Sequence, residues 1–260
     1  MDHGKQYMIS LSVLIGYFTI FFINFTVNGI IMSMISLNDT PSPSQGVLYL
    51  LSNTTYMVTT ICYMLVLLAV YVRLRLVNDY MMKHIAKDQT TVEDDCRAMN
   101  IVKILHGKIT ETTHIINICF SINIITYLFQ LVFFTIFVSF GFYHYITSED
   151  SEFSQFLMNV ITLQWIIFYL LAILWVLVLS TKIKHQGKST AFLFHQMLMK
   201  KTNSKILKIV QLSTLQFYHQ SPEISCGMFK IDWPLMLTMI AAVFSYLIIL
   251  IQFDSSTNDL

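Results

Sequence analysis

The apolar residues of this chain gather into long unbroken runs and not into the short alternating pattern of strands. Five stretches, about Met8–Leu37, Val47–Tyr71, Ile115–Thr147, Phe156–Thr181 and Trp233–Phe253, contain no Asp, Glu, Lys or Arg. A helix needs about twenty such residues to cross a hydrocarbon core of roughly 30 Å, so each stretch reads as a membrane span, the longer ones tilted or overshooting. A buried soluble helix would explain any one of them, but five in one chain argue for the bilayer. The first is too long for a signal peptide and lacks a small-residue cleavage site. The expected fold is an all-α membrane protein, a bundle of five transmembrane helices with cytoplasmic helical extensions.

The two long connections keep a helical rhythm. Leu74, Val77, Met81 and Ile85 are spaced 3, 4, 4; Val102, Leu105 and Ile109 are spaced 3, 4; Ile206, Ile209, Val210 and Phe217 share another face. Such faces suit amphipathic helices on the inner leaflet or, as we prefer, spans that continue beyond the membrane and pack into a second, water-exposed bundle. Asp79, Asp88, Glu93, Asp94 and Asp95 are then read as a solvated face. No internal repeat is visible.

Charge orients the spans, because Lys and Arg near span ends stay cytoplasmic while Asp and Glu have little influence. All sixteen basic residues fall before the first span, between the second and third, or between the fourth and fifth. The alternate segments hold none, although they carry Asp39, Glu149, Asp150, Glu152, Asp254 and Asp259. The N-terminus is therefore expected inside and the C-terminus outside. The resulting plan is 1–72 for two spans and a short outer loop, 73–113 a cytoplasmic connection, 114–181 the third and fourth spans, 182–232 cytoplasmic anchor helices, 233–253 the last span and 254–260 an outer tail.

Composition narrows the chemistry. The 260 residues are 55% apolar and 12% charged, with a mean hydropathy of +0.62, too greasy for an ordinary soluble domain. A net charge of +1 argues against a nucleic-acid partner. The four cysteines and eight histidines show no zinc or metalloprotease spacing, and no phosphate loop or nucleophile motif is present. The spans offer no ionisable group beyond Tyr, Cys and His144, as a pump or intramembrane hydrolase would need, and His114 at the inner edge of the third reads as an ordinary interfacial imidazole. No enzyme, cofactor or metal is expected. Lipid is the obligatory partner.

Polar uncharged residues say more, since an amide or hydroxyl in lipid must find a partner or water. Asn24, Asn28, Tyr56, Tyr127, Gln130, Asn159, Thr162, Gln164, Trp165 and Tyr169 all fall toward the outer halves of their spans and could line one outward-opening cavity for a small organic ligand. The plainer reading, residue by residue, is that they glue helices together or anchor at the interface. In the last span Thr238, Ala241, Ser245, Ile249 and Gln252 are spaced 3, 4, 4, 3, a narrow stripe of mostly small or polar groups. It could line water around a cyclic axis or form a small-residue packing seam. Asn38, in Asn38-Asp39-Thr40, is a weak candidate for glycosylation; the sequons at Asn24 and Asn53 fall inside spans and are read as accidental.

The C-terminal segment carries a resemblance. Ser245, Tyr246, the five apolar residues Leu247–Ile251, then Gln252 and Phe253 resemble the Thr-Tyr, five hydrophobics, Gln-Phe signature of insect gustatory receptors, with Ser245 in place of the usual Thr. Upstream, Cys226, Gly227, Phe229 and Asp232 are similar to the family's Cys-Gly-hydrophobic-Phe turn and the acidic residue before its last span. The likeness is specific over about 206–253 and more diffuse before it, in RLRLVNDYM and LHGKITETTHIINICFS.

This resemblance implies seven-helix subunits with the N-terminus inside, assembled as homo- or hetero-tetrameric ligand-gated cation channels of the plasma membrane that respond to taste molecules. It also implies that Tyr246, Gln252 and Phe253 belong to the pore helix, the last two near the outer gate. Five spans instead of seven suggest that two would precede Met1. The rival readings are a receptor of the G-protein-coupled type, which requires a cytoplasmic C-terminus, and a non-conducting scaffold or accessory subunit.

Overall fold

The computed structural model describes residues 43–258 apart from 88–90, 148–152, 201–202 and 220, and before them only positions 12, 15, 16, 19, 22 and 26, all helical. The first expected span, with Asn24, Asn28 and Asn38, thus lies outside the described residues or among isolated positions of them. Five helices follow: α1 Pro43–Ala86, α2 Val92–Thr147, α3 Phe153–Lys200, α4 Ser204–His219 and α5 Trp233–Asn258. The fold is all-helical; among the described residues the only extended pairing is an isolated bridge between Ser225 and Lys230. Segments of α1, α2, α3 and α5 are long and apolar enough to cross a membrane. At 1.5 Å per residue the 56 residues of α2 extend roughly 84 Å, far beyond a hydrocarbon core of roughly 30 Å.

Local sequence explains where the helices begin. Thr91 opens α2 with a reciprocal cap, its Oγ1 accepting from the Asp94 amide at 3.2 Å and donating to the Asp94 carboxylate at 2.7 Å. Asn203 does the same office for α4, where its Oδ1 accepts from the Lys205 amide at 2.9 Å. At α5 the Asp232 carboxylate accepts from the Leu235 amide at 3.2 Å, and Pro234 in the first turn lacks only a donor that no helical partner would use.

The helices divide between two compact units. One holds the chain up to Ile61, with 126–172 and 238–260; the other holds 62–125 and 173–237. Every basic residue except Lys5 belongs to the second unit.

In the second unit Leu74, Val77, Met81 and Ile85 are all buried, as their spacing requires, and Val77, Met81 and Ile85 pack with Met99, Val102, Phe194, Met197, Ile206, Val210 and Phe217 in one core. Two expectations need correction here. Leu105 is exposed although Val102 is buried, because the face of α2 that meets the core runs through Val102, His106 and Ile109 and leaves Leu105 at its flank. The acidic group is not uniformly solvated: Glu93 and Asp94 are exposed, but Asp95 is fully buried with its carboxylate 3.0 Å from His84 Nε2, and Asp79 is only partly exposed beside Arg75; Asp88 lies outside the described residues.

Some buried polar groups in this unit are matched across helices. Asn78 Nδ2 donates to the Gln186 carbonyl and side-chain oxygens, both at 2.9 Å, and Thr190 donates to Asn78 Oδ1 at 2.7 Å. Ahead of α5 the chain runs extended, with Pro222, Ile224 and Cys226 buried in alternation, then reverses. The Cys226 amide donates to the Phe229 carbonyl at 3.1 Å, and Gly227, at φ 81°, takes the first central position, where a type II′ turn calls for glycine.

Candidate functional site

Two features of the structure bear on function, a buried polar network in the first unit and the surface of α5. The network begins with the need of every amide in an apolar helix to find a partner. The Tyr169 hydroxyl donates to Asn53 Oδ1, joining α3 to α1. Gln130 Nε2 of α2 makes longer contacts to the same Tyr169 oxygen, 3.4 Å, and to Asn53 Oδ1, 3.5 Å. The Tyr127 hydroxyl donates to the Tyr169 carbonyl at 2.7 Å, with the two rings edge to face at 5.0 Å. Trp165, fully buried, lies with its ring 6.3 Å from that of Tyr169.

Tyr127, Gln130, Trp165 and Tyr169, four of the expected ligand-site residues, therefore meet in one place. Gln130 Oε1 is buried there with no hydrogen-bond partner among the described residues, an acceptor on an aromatic wall. The other candidates are placed differently. Asn159 packs against Gly141, where an added Cβ would stand 3.1 Å from its Oδ1. Thr162 donates to the Met158 carbonyl of its own helix at 2.9 Å. Tyr56 and Gln164 are half-buried and outside the hydrogen-bonded network.

Asn53 is the member that sequence reading passed over as an accidental sequon. Its signal was present: an amide deep in an uncharged run cannot go unpaired, and this one is 1% exposed.

The α5 helix is the opposite case. None of its most apolar stretch is buried, against 44%, 33% and 50% in α1, α2 and α3. Thr238, Ala241, Ser245, Ile249 and Gln252 are all exposed, as are Tyr246 and Phe253. Ser245 satisfies its hydroxyl on the Ala241 carbonyl of its own helix at 2.9 Å, and among the described residues the stripe forms no packing seam. A helix so apolar and so uncovered needs lipid, or other copies of itself, around it.

Comparisons with known proteins agree with this architecture. The structures of the insect olfactory receptor OR5 from Machilis hrabei, alone and in complex with eugenol, each match with a TM-score of 0.61 at 15% identity, covering 96% of this chain and 70% of that one. At that identity the likeness is one of fold. No curated protein matches the chain in sequence. A family model described as 7tm chemosensory receptor matches residues 4–257, nearly the whole sequence. This multi-pass membrane protein accordingly belongs to the 7tm chemosensory receptor family, a family of receptors and not of enzymes.

Proposed function

We propose that the chain is a gustatory receptor subunit, one of four that enclose a ligand-gated, weakly selective cation pore lined by α5. The observation that carries this reading is the uncovered stripe from Thr238 to Gln252 on an otherwise bulky helix. Four copies around an axis would bury the apolar flanks of α5 on one another and leave hydroxyl, amide and backbone dipoles facing water. No acidic residue lies between Trp233 and Phe253, so selectivity would be weak and would rest on width, dipoles and an apolar constriction. Gln252 and Phe253 would stand at the outer gate.

The ligand is a small organic taste molecule that enters the first unit at the Tyr127, Gln130, Trp165 and Tyr169 network and donates a hydrogen bond to Gln130 Oε1. To open the pore it must bind the open state more tightly than the closed one. The concentration of cations in the second unit supports a cytoplasmic N-terminus and an outward C-terminus in the plasma membrane.

Expression with candidate partner subunits, followed by whole-cell recording during application of sugars and bitter compounds, tests the reading. A cation current whose permeability ratio changes in Gln252→Leu is expected. Absence of evoked current in every combination, or a C-terminal epitope unreachable on intact cells, would overturn it.

A further inference from the structure

The second unit holds a cleft of about 730 Å³, within the size range of small-molecule sites, between one face of α2 and the segment that links α4 to the Gly227 turn. Its lining contains a buried side chain with unused capacity. Asn117 is 8% exposed; its Nδ2 donates to the Glu223 carbonyl at 2.8 Å, while its Oδ1 has no partner among the described residues. The Ser221 hydroxyl, also in the lining, is buried and equally unpartnered.

Charge adds a second requirement. Lys103 and Lys108 line the cleft and form no ion pair among the described residues. The carboxylate of Glu223 is already engaged by Lys184 at 3.2 Å and Lys230 at 2.5 Å, leaving Glu111 as the only other acid in the lining. The cleft is thus cationic, with a buried acceptor and a buried hydroxyl at its side. Gly107 keeps it open: a Cβ there would meet only the Gln216 side chain, at 3.5 Å.

A ligand that satisfies all of this carries anionic oxygens for the two ammonium groups and a hydroxyl to donate to Asn117 Oδ1, on a compact scaffold. We propose that the cleft binds a phosphorylated polyol of the inositol phosphate class, presented as a lipid headgroup or as the free molecule. The headgroup source rests on the orientation argued above, which puts this end of α2 at the inner leaflet; the binding chemistry does not.

Purified full-length protein in detergent is titrated with inositol trisphosphate, a short-chain phosphatidylinositol bisphosphate, short-chain phosphatidylserine and inorganic phosphate. At least one inositol probe binds saturably and more tightly than phosphatidylserine and inorganic phosphate. The double variant Lys103→Gln/Lys108→Gln weakens that binding by about tenfold or more. Gly107→Leu, which fills the cleft and removes no charge, abolishes it, and thermal unfolding verifies that both variants remain folded. Comparable affinity for the free and lipid-linked headgroup assigns the soluble source; binding of the lipid alone assigns the bilayer. Absence of saturable binding by both inositol probes, equal binding of phosphatidylserine or phosphate, or full affinity in either folded variant overturns the proposal. An inward-facing C-terminal tail would refute the orientation and leave the soluble arm standing.

Discussion

Tyr169 of α3 donates its hydroxyl to the side-chain oxygen of Asn53 on α1, a bond between residues 116 positions apart in the first unit. Both residues are buried, and Gln130 Nε2 stands farther off, 3.5 Å from Asn53 Oδ1 and 3.4 Å from the Tyr169 oxygen. Tyr169→Phe should lower stability by about 0.5–1.5 kcal/mol, the usual net contribution of one hydrogen bond, since Gln130 Nε2 stays beside Asn53 Oδ1. In a double-mutant cycle with Asn53→Leu, thermal unfolding in detergent should show a coupling of roughly 0.5–2 kcal/mol. Strict additivity would mean that the bond contributes nothing.

Gly187 makes a sign-changing prediction. A Cβ at this position would stand 2.8 Å from both Cγ and Cδ of Pro222, a ring that cannot swing aside. Gly187→Ala should therefore destabilise by about 1–3 kcal/mol through overpacking. With Pro222→Ala as the background the same change should stabilise, by up to about 1 kcal/mol of helix propensity. Unfolding midpoints of the four proteins decide it.

His106 gives the protein an acid-sensitive side. The imidazole is 1% exposed, its ring centroid is 4.5 Å from that of Phe217, and its Nε2 has no hydrogen-bond partner among the described residues. Burial pushes its pKa down from 6.5 to about 4. The folded state therefore resists a proton that the unfolded chain accepts, so the group takes nothing from stability above pH 6.5. It removes about 3 kcal/mol as pH falls from there to about 4. His106→Phe should flatten that part of the stability profile, and an unchanged slope between those limits would contradict the assignment.

Gly227 sits at a backbone angle that side chains resist. At φ 81° an alanine pays about 1–2 kcal/mol, and asparagine less, because its short polar side chain tolerates the left-handed region. Surface expression and unfolding temperature should rank wild type, then Gly227→Asn, then Gly227→Ala. Packing cannot produce that order, since no atom lies within 4 Å of the would-be Cβ.

On α5 stability and conduction should separate. Ser245→Ala removes a hydroxyl that is exposed and bonded only to its own helix, so the unfolding temperature should stay within the range of a surface change, about 0.5 kcal/mol. Single-channel conductance should nevertheless change if the stripe faces the pore. A stable variant with unaltered conductance would remove Ser245 from the pore wall.

Much of this was legible along the chain because it depends on one-dimensional quantities. The runs from Val47 onward, the helical rhythm of Leu74 to Ile85 and the spacing of small and polar residues along α5 follow from the periodicity of a helix and the cost of putting charge in lipid. The turn at Cys226 and Gly227 was legible only through the resemblance to a family motif, and the φ of 81° at Gly227 gives the physical reason for the glycine. The resemblance to a chemosensory family was carried by Ser245, Tyr246, Gln252 and Phe253 at fixed spacing.

The rest required coordinates, because partners that are distant in sequence are chosen by packing. Nothing in the spacing of Asn53, Gln130 and Tyr169 says that they share a hydrogen-bond network while Tyr56 and Gln164 stay outside it. Asp95 reads as one more surface acid in a run of them until His84 is seen 3.0 Å away, and Leu105 obeys the same period as Val102 yet faces out. Sequence alone determined which segments are helical and apolar and where the cations gather, since those follow from solvent preference residue by residue. Tertiary structure decided which polar groups are paired, which are stranded and which helix is left uncovered, because each of those is a property of two surfaces and not of one.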